Sequence, residues 1–232
     1  MEIRDVRIVT EEYIIAYIDL LGSTEKIKND TGDIFLNHIY SAYTTAFQMR
    51  DFSRYKDLKV KIFSDNIVIA LSTKNTNDGR INACGILLEY LMFFQMNCLL
   101  KGYILLNGCV SIGNLYIDET IVWGNGLLNA YSGELRANYP RIIIDPEVLN
   151  LNVGHNILLR DFDGEYFIDY YLTLFSQFGN SPNIEILADI YNFYKNEINA
   201  NKNKSKIMQK LNWQIDYHNK HCIKKNIHKY CI

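Results

Sequence analysis

The sequence predicts an α+β fold, an antiparallel sheet layered with helices. Three observations carry this prediction. Short apolar runs rich in β-branched and aromatic residues read as strands, and longer segments with apolar residues at helical spacing separate them. The segments fall in the order βαββαββ, with two further helical segments at the end of the chain. Finally, 48% of the 232 residues are hydrophobic and only 3 are proline, so the chain can bury a core and is not disordered.

Tyr13–Asp19 is an apolar run that ends in an acid, the pattern of a buried strand. Leu20-Leu21-Gly22-Ser23-Thr24 is a tight turn into a helix, with Ser23 or Thr24 as its expected N-cap. Ile34–Met49 carries apolar residues at helical spacing. Leu58–Ser72 holds two β-rich runs flanking Ser64-Asp65-Asn66, a hairpin with a polar tip. Arg80–Leu100 is a strongly apolar helix ended by Lys101-Gly102, and Phe93, Phe94, Met92 and Met96 belong in its core face. Tyr103–Ile117 reads as a strand bent at Gly108 and Gly113, and Trp123–Gly126 as a turn. Leu127–Ala137 is a short helix, Arg141–Asp145 a strand, and Pro146-Glu147 opens another helical turn. Ile157–Ile168 is a hairpin turning at Asp163-Gly164. Ile184–Asn199 and Lys204–Lys225 are helices rich in Asn and Lys. A boundary is placed between residues 1–180 and a helical extension, 181–232.

The net charge of −2 gives no field for a nucleic-acid polymer. No uncharged apolar run reaches the ~20 residues of a membrane span, and MEIRDVRIVTEE lacks the apolar core of a signal peptide. Five cysteines without paired spacing fit a reducing compartment, so a cytoplasmic protein with no membrane partner is expected. His218, His221 and Cys222 read as a polar helix face without a metal, and the Lys-rich stretches 202–210 and 220–229 as solvated faces.

Two acids stand out. Asp19 ends an apolar strand and Asp65 sits at a hairpin tip. An acid in an apolar strand is costly unless compensated, and a metal ion compensates well. If the hairpin pairs beside the first strand, both carboxylates share one sheet edge and can hold two Mg²⁺ or Mn²⁺. The amides of Leu20, Leu21, Gly22, Ser23 and Thr24 would then cradle phosphates. The pattern leaves a second reading open, in which Asp19 caps the following helix and Asp65 is an ordinary hairpin acid.

Asp19-Leu20-Leu21-Gly22-Ser23-Thr24 resembles the first metal motif of class III nucleotidyl cyclases, and Lys61-Ile62-Phe63-Ser64-Asp65 their second. Gly108–Gly113 resembles their bent strand, and Val122-Trp123-Gly124-Asn125 the stretch before their catalytic helix. The resemblance runs from Tyr13 to Asp169. Ser64-Asp65, Trp123-Gly124 with Ala130-Tyr131, Glu134 and Tyr139-Pro140-Arg141-Ile142 look closest to the pyrimidine cyclases of bacterial Pycsar antiphage systems. Lys210-Leu211-Asn212-Trp213 with Tyr217-His218-Asn219 is similar to the same proteins.

The resemblance implies the cyclase catalytic fold, with a ferredoxin-like antiparallel sheet. It implies intramolecular attack of the ribose 3′-oxygen on the α-phosphorus, with pyrophosphate leaving. Asp19 and Asp65, with the Leu20 carbonyl, would hold two divalent ions, and the Gly22 region would meet the phosphates. A homodimer with shared sites and a separate cyclic-nucleotide effector follow as partners. The Asn and Arg that such cyclases carry on the catalytic helix are absent at the matching places, Leu128 and Ser132, so Asn129 and Arg136 are the candidates there. Asn107 stands where an Arg is usual, and no Lys follows Asp163-Gly164. Lys61 and Ile121 occupy the base-reading positions, and Tyr131 is placed either to stack on the base or to pack in the core. A Lys donates to a uracil carbonyl, whereas cytosine presents an amine there. The expected reaction is therefore UTP to cyclic UMP. The alternatives are a cytidylate cyclase, or a degenerate domain that binds a nucleotide or partner without turnover. A palm-like diguanylate cyclase is disfavoured because Asn66, not an acid, follows Asp65.

Overall fold

The structure, a computed structural model, describes residues 8–48, 55–75, 79–176 and 184–232. The expected boundary between residues 180 and 181 lies outside the described residues.

The first strand, β1 (Glu11–Leu20), is the centre of the molecule. Its two sides are both buried: Ile14, Ala16, Ile18 and Leu20 face the large core, while Tyr13 and Ile15 face a smaller one. That double burial is why the run is apolar throughout instead of alternating. After α1 (Ser23–Lys28) and α2 (Ile34–Gln48) comes the hairpin of β2 (Lys59–Phe63) and β3 (Asn66–Ser72). Phe63 pairs with Asn66, so the tip is Ser64-Asp65 alone, and Asn66 already belongs to a strand. Ser64 takes the left-handed conformation, φ 57°, that closes the two-residue turn.

Next along the chain is α3 (Gly79–Gly102), long and apolar enough to cross a membrane by length and composition. Here it is the core helix, with 83% of its most apolar window buried. Phe93, Phe94, Met92 and Met96 are all in that core, as expected. The chain then forms β4 (Leu106–Ile117), β5 (Val122–Trp123) and α4 (Asn125–Ala137). The turn expected at Trp123–Gly126 is instead the end of a strand paired to β4 and the first residues of a helix. The second half continues with β6 (Ile142–Ile144), α5 (Pro146–Leu149), β7 (Leu158–Arg160), β8 (Tyr166–Ile168) and α6 (Tyr171–Ser176). It ends with α7 (Ile184–Asn201) and α8 (Ser205–Lys224).

One sheet of order β2-β3-β1-β4-β6-β8-β7 results, with β5 attached to β4. The α+β class is as expected, with one departure from an all-antiparallel sheet. β4 and β6 run parallel, because α4 lies between them in sequence and carries the chain back to the starting edge. α4 covers one face, packing Ala130 and Leu127 on Tyr13 and Ile15. α2, α3 and the last two helices cover the other and share one core with the sheet, through Phe35, Leu87, Leu187, Ile190, Tyr194, Leu211 and Trp213.

Candidate active site

Pairing of β3 beside β1 places Asp19 opposite Asn66, next to the hairpin tip, and pairing of β4 on the other side places it opposite Asn107. The Leu20 N–H donates to the Asp65 carbonyl at 2.8 Å, and the Ser23 hydroxyl donates to Asp65 Oδ2 at 3.2 Å. Asn66 Nδ2 donates to Asp65 Oδ1 at 3.0 Å, and the Tyr17 hydroxyl holds Asn66 by its Oδ1 at 2.6 Å. The Asp65 carboxylate is thus oriented by neutral donors on both oxygens.

Asp19 is half-buried, and no hydrogen bond to its carboxylate is found among the described residues. Burial raises its pKa, the negative charge of Asp65 raises it further, and Lys210 acts in the opposite direction. The alternative in which Asp19 caps the next helix does not hold, since the N-cap of α1 is Gly22. Ser23 and Thr24 do not cap it either. Gly22 sits in the left-handed conformation at φ 69°, and no side chain caps the first turn. Ser23 instead spends its hydroxyl on Asp65 and is 2% exposed, while Gly22 and Thr24 are exposed and Leu21, bonded through its N–H to the Leu105 carbonyl, is half-buried.

Beside this pair lies a third acid to which the sequence assigned no role. Glu134 of α4 accepts from Asn107 Nδ2 at 2.6 Å, and both residues are buried. Burial raises the Glu134 pKa, the Asn107 bond lowers it, and Asp19 raises it. Asn107 Oδ1 is buried with no hydrogen-bond partner. A signal for Glu134 did exist: Ala130, Gly133, Glu134 and Ala137 form the buried stripe of α4, and one member is an acid. Tyr131 is on the same helix, 45% exposed, its ring edge-on to Tyr17 with centroids 5.3 Å apart.

Lys61 and Ile121 approach a common group, Asp118. Its carboxylate accepts from the Tyr116 hydroxyl at 2.6 Å and from the Thr120 and Ile121 N–H groups, both at 2.7 Å. These bonds, the Tyr116 bond foremost and the charge of Lys61 last, hold Asp118 down to about 2. Lys61 is half-buried on β2 and Ile121 is 42% exposed. Within the protomer Arg136 is not at the Asp19–Asp65 edge: its guanidinium is shared by Asp145 and Glu165, each at 3.5 Å. Asn129 is exposed on α4.

The donor set at the edge is all oxygen: two carboxylates and the adjoining Leu20 carbonyl. That set suits Mg²⁺ or Mn²⁺. Two partly buried acids with no basic hydrogen-bond partner also fit a divalent ion as the missing counter-charge. Among the described residues no three His, Cys, Asp or Glu side chains are grouped to hold a metal. His218 and His221 are not the expected polar face: they are 0% and 5% exposed, inside a tyrosine cluster. The lysines of the two Lys-rich stretches are exposed as expected, apart from Lys210, but His221 and Cys222 within the second stretch are buried.

No family model matches the chain, and no curated protein matches it. Solved structures do align with it. The guanylyl cyclase Cya2 is 11% identical, with a TM-score of 0.45 over 69% of this chain and 90% of that one. The adenylyl cyclase CyaB from P. aeruginosa is 13% identical, TM-score 0.47, over 70% and 96%. The monomeric guanylyl cyclase domain of the RhoGC fusion protein from the aquatic fungus Blastocladiella emersonii is 12% identical, TM-score 0.49, over 68% and 95%. Likeness of this degree leaves the chemistry to be read from the site itself.

Proposed function

We propose that the chain is a nucleotidyl cyclase with UTP as its preferred substrate, releasing 3′,5′-cyclic UMP and pyrophosphate. One observation carries the reading: Asp19 near the end of β1 and Asp65 in the β2–β3 turn meet at one sheet edge beside the uncapped first turn of α1. The 3′-oxygen bonds to the α-phosphorus, the bond from that phosphorus to the bridging oxygen breaks, the hydroxyl proton departs, and pyrophosphate takes the electron pair. Two Mg²⁺ or Mn²⁺ ions, when bound, supply acidification of the 3′-hydroxyl and neutralisation of the triphosphate. The chain's own part is to orient Asp65 through Ser23 and Asn66, to keep Asp19 free of a basic hydrogen-bond partner, and to leave the Gly22–Thr24 amides open to a phosphate, since the Leu20 and Leu21 amides expected in the cradle are taken by the Asp65 and Leu105 carbonyls. Lys61 donates to a uracil carbonyl, with Ile121 as the apolar neighbour and Tyr131 against the base.

Such an enzyme works as a homodimer in the cytoplasm and signals through a separate cyclic-nucleotide effector in antiphage defence. A dimer also suits Asn129, which is exposed on α4, whereas Arg136 would have to leave Asp145 and Glu165 to serve a partner's site. Exposed Leu128 (65%) and Leu135 (60%) on α4, with Trp123 (72%) at the end of β5, mark the contact surface.

The test is incubation of the purified protein with Mn²⁺ and each of the four ribonucleoside triphosphates, with products identified by mass spectrometry. Cyclic UMP as the main product is expected. Cyclic CMP would move the preference to cytosine, and no cyclic product from any of the four would refute the reading. The engagement of Arg136 by Asp145 and Glu165 favours a second reading, a nucleotide-binding protein without turnover. That reading expects UTP binding with no pyrophosphate release.

A further inference from the structure

The C-terminal helix delivers one lysine to the carboxylate edge. Lys206, Lys220 and Lys224 of α8 are exposed, whereas Lys210 is half-buried. The cause lies one turn further on. Trp213 Nε1 donates to Asp161 Oδ2 at 2.6 Å, and the indole is stacked on Tyr139 with centroids 5.8 Å apart. Asp161 is bonded in turn to the buried guanidinium of Arg141, whose carbonyl accepts the Gly108 N–H at 3.1 Å. Gly108 adjoins Asn107, the residue that holds Glu134. Side chains three apart share a helix face, so the anchor at Trp213 also aims Lys210 at the end of β4. There its positive charge bears on both Asp19 and Glu134, yet its ammonium makes no ion pair or hydrogen bond among the described residues. The orphaned acceptor Asn107 Oδ1 belongs to the same cluster.

We propose that Lys210 is a substrate-binding residue, holding the triphosphate of the nucleotide at the edge formed by Asp19 and Asp65 of its own chain. The inference rests on the reading of that edge as a nucleoside triphosphate site. A triphosphate approaching three carboxylates needs a fixed cation besides any metal. An ammonium held on an anchored helix, without a partner of its own, supplies a point charge suited to phosphate oxygens.

The experiment uses the full chain as wild type, Lys210→Met and Lys210→Arg. Binding of inorganic tripolyphosphate in the presence of Mn²⁺ is measured by calorimetry, and steady-state pyrophosphate release is followed from UTP. Loss of one charge-assisted contact is expected to weaken tripolyphosphate binding about tenfold in Lys210→Met. KM should rise by a similar factor with kcat little changed, and Lys210→Arg should recover most of both. Unchanged tripolyphosphate binding in Lys210→Met would overturn the proposal. So would tighter Mn²⁺ binding and faster turnover in that variant, which would make Lys210 a lock on Asp19 rather than a ligand for substrate. If wild type releases no pyrophosphate, the cyclase reading falls, while the tripolyphosphate titration still judges Lys210 by itself.

Discussion

The Asp19 carboxylate is raised by burial and by Asp65, so in the metal-free protein the two acids oppose each other. Asp65→Asn keeps the shape and removes the repulsion. We expect this variant to melt at or above wild type without metal, and to lose turnover. In excess Mn²⁺ the order should reverse. A ligand at 100 times its Kd that binds only the folded state adds about 2.7 kcal/mol. For a chain of this size that is a rise of about 5–10 °C in Tm. Differential scanning fluorimetry with and without Mn²⁺ reads both effects, and equal metal shifts in the two proteins would remove Asp65 from the metal site. Arg141 is the opposite case, a cation that is 0% exposed and fully engaged. It bonds Asp161 and Asp163, donates through Nε to the Ala137 carbonyl at 3.1 Å, and lies over the rings of Tyr139 and Trp213. Burial alone would raise Asp163, but the Arg141 bond brings it below its ordinary value. Arg141→Met leaves Asp161 uncompensated in the interior, with an expected loss of about 3–5 kcal/mol in urea denaturation. A loss under about 1 kcal/mol would mean that the two acids find other partners.

At the scale of elements, the site depends on how closely α4 lies on the sheet. A Cβ at Gly126 would sit 2.2 Å from Ile15 Cδ1, and one at Gly113 would sit 2.7 Å from the Gly126 Cα. Gly126→Ala therefore lifts the start of α4, at a cost of about 1–3 kcal/mol for overpacking. Glu134 and Tyr131 ride on the same helix, so their contacts with Asn107 and Tyr17 should loosen too. A lower Tm together with a reduced kcat is expected, and a fall in Tm without any kinetic change would uncouple α4 from the site. The strands and most helices were legible because each carries its own period, and Asp19 was legible because an acid interrupts an apolar run. Glu134 offered a weaker contrast, one acid in the small-residue stripe of α4, and Lys210 offered none, lying among other lysines in a helix already half polar. The parallel β4–β6 pair was missed because direction depends on what a connecting helix spans, and strand pattern alone does not record it. Gly22 in place of Ser23 as the N-cap was missed because Asp65, distant in sequence, claims the Ser23 hydroxyl.

For the whole molecule, the last two helices are part of the core, and they bring a buried titratable group with them. His218 Nε2 lies 2.9 Å from the Tyr230 carbonyl, which can only accept, so Nε2 carries the proton. Nδ1 must then accept from the Tyr171 hydroxyl at 3.1 Å. Tyr171 lies 3.2 Å from the Tyr194 hydroxyl, which also takes a bond from Gln214 at 3.0 Å. The Cys222 thiol approaches Nε2 at 3.4 Å, and His221, whose Nε2 lies 2.9 Å from Asp169 Oδ1, is a further imidazole in the same cluster. Burial pushes the His218 pKa below its ordinary 6.5, the Tyr230 bond opposes this, and His221 adds to it. Well above pH 6.5 His218 is neutral in both folded and unfolded chains and adds no pH dependence. As pH falls below that value the unfolded chain takes up a proton that the folded one refuses, so stability declines until the lowered folded pKa is reached. One proton limits the slope to about 1.4 kcal/mol per pH unit. His218→Gln retains a donor for the Tyr230 carbonyl and an acceptor for Tyr171 but cannot titrate, and the His221–Asp169 pair is common to both proteins. Urea midpoints from pH 8 to pH 5 should therefore run parallel above pH 7 and diverge below 6.5, with wild type falling faster. Parallel curves over the whole range would mean that His218 takes its proton without loss of the tyrosine network.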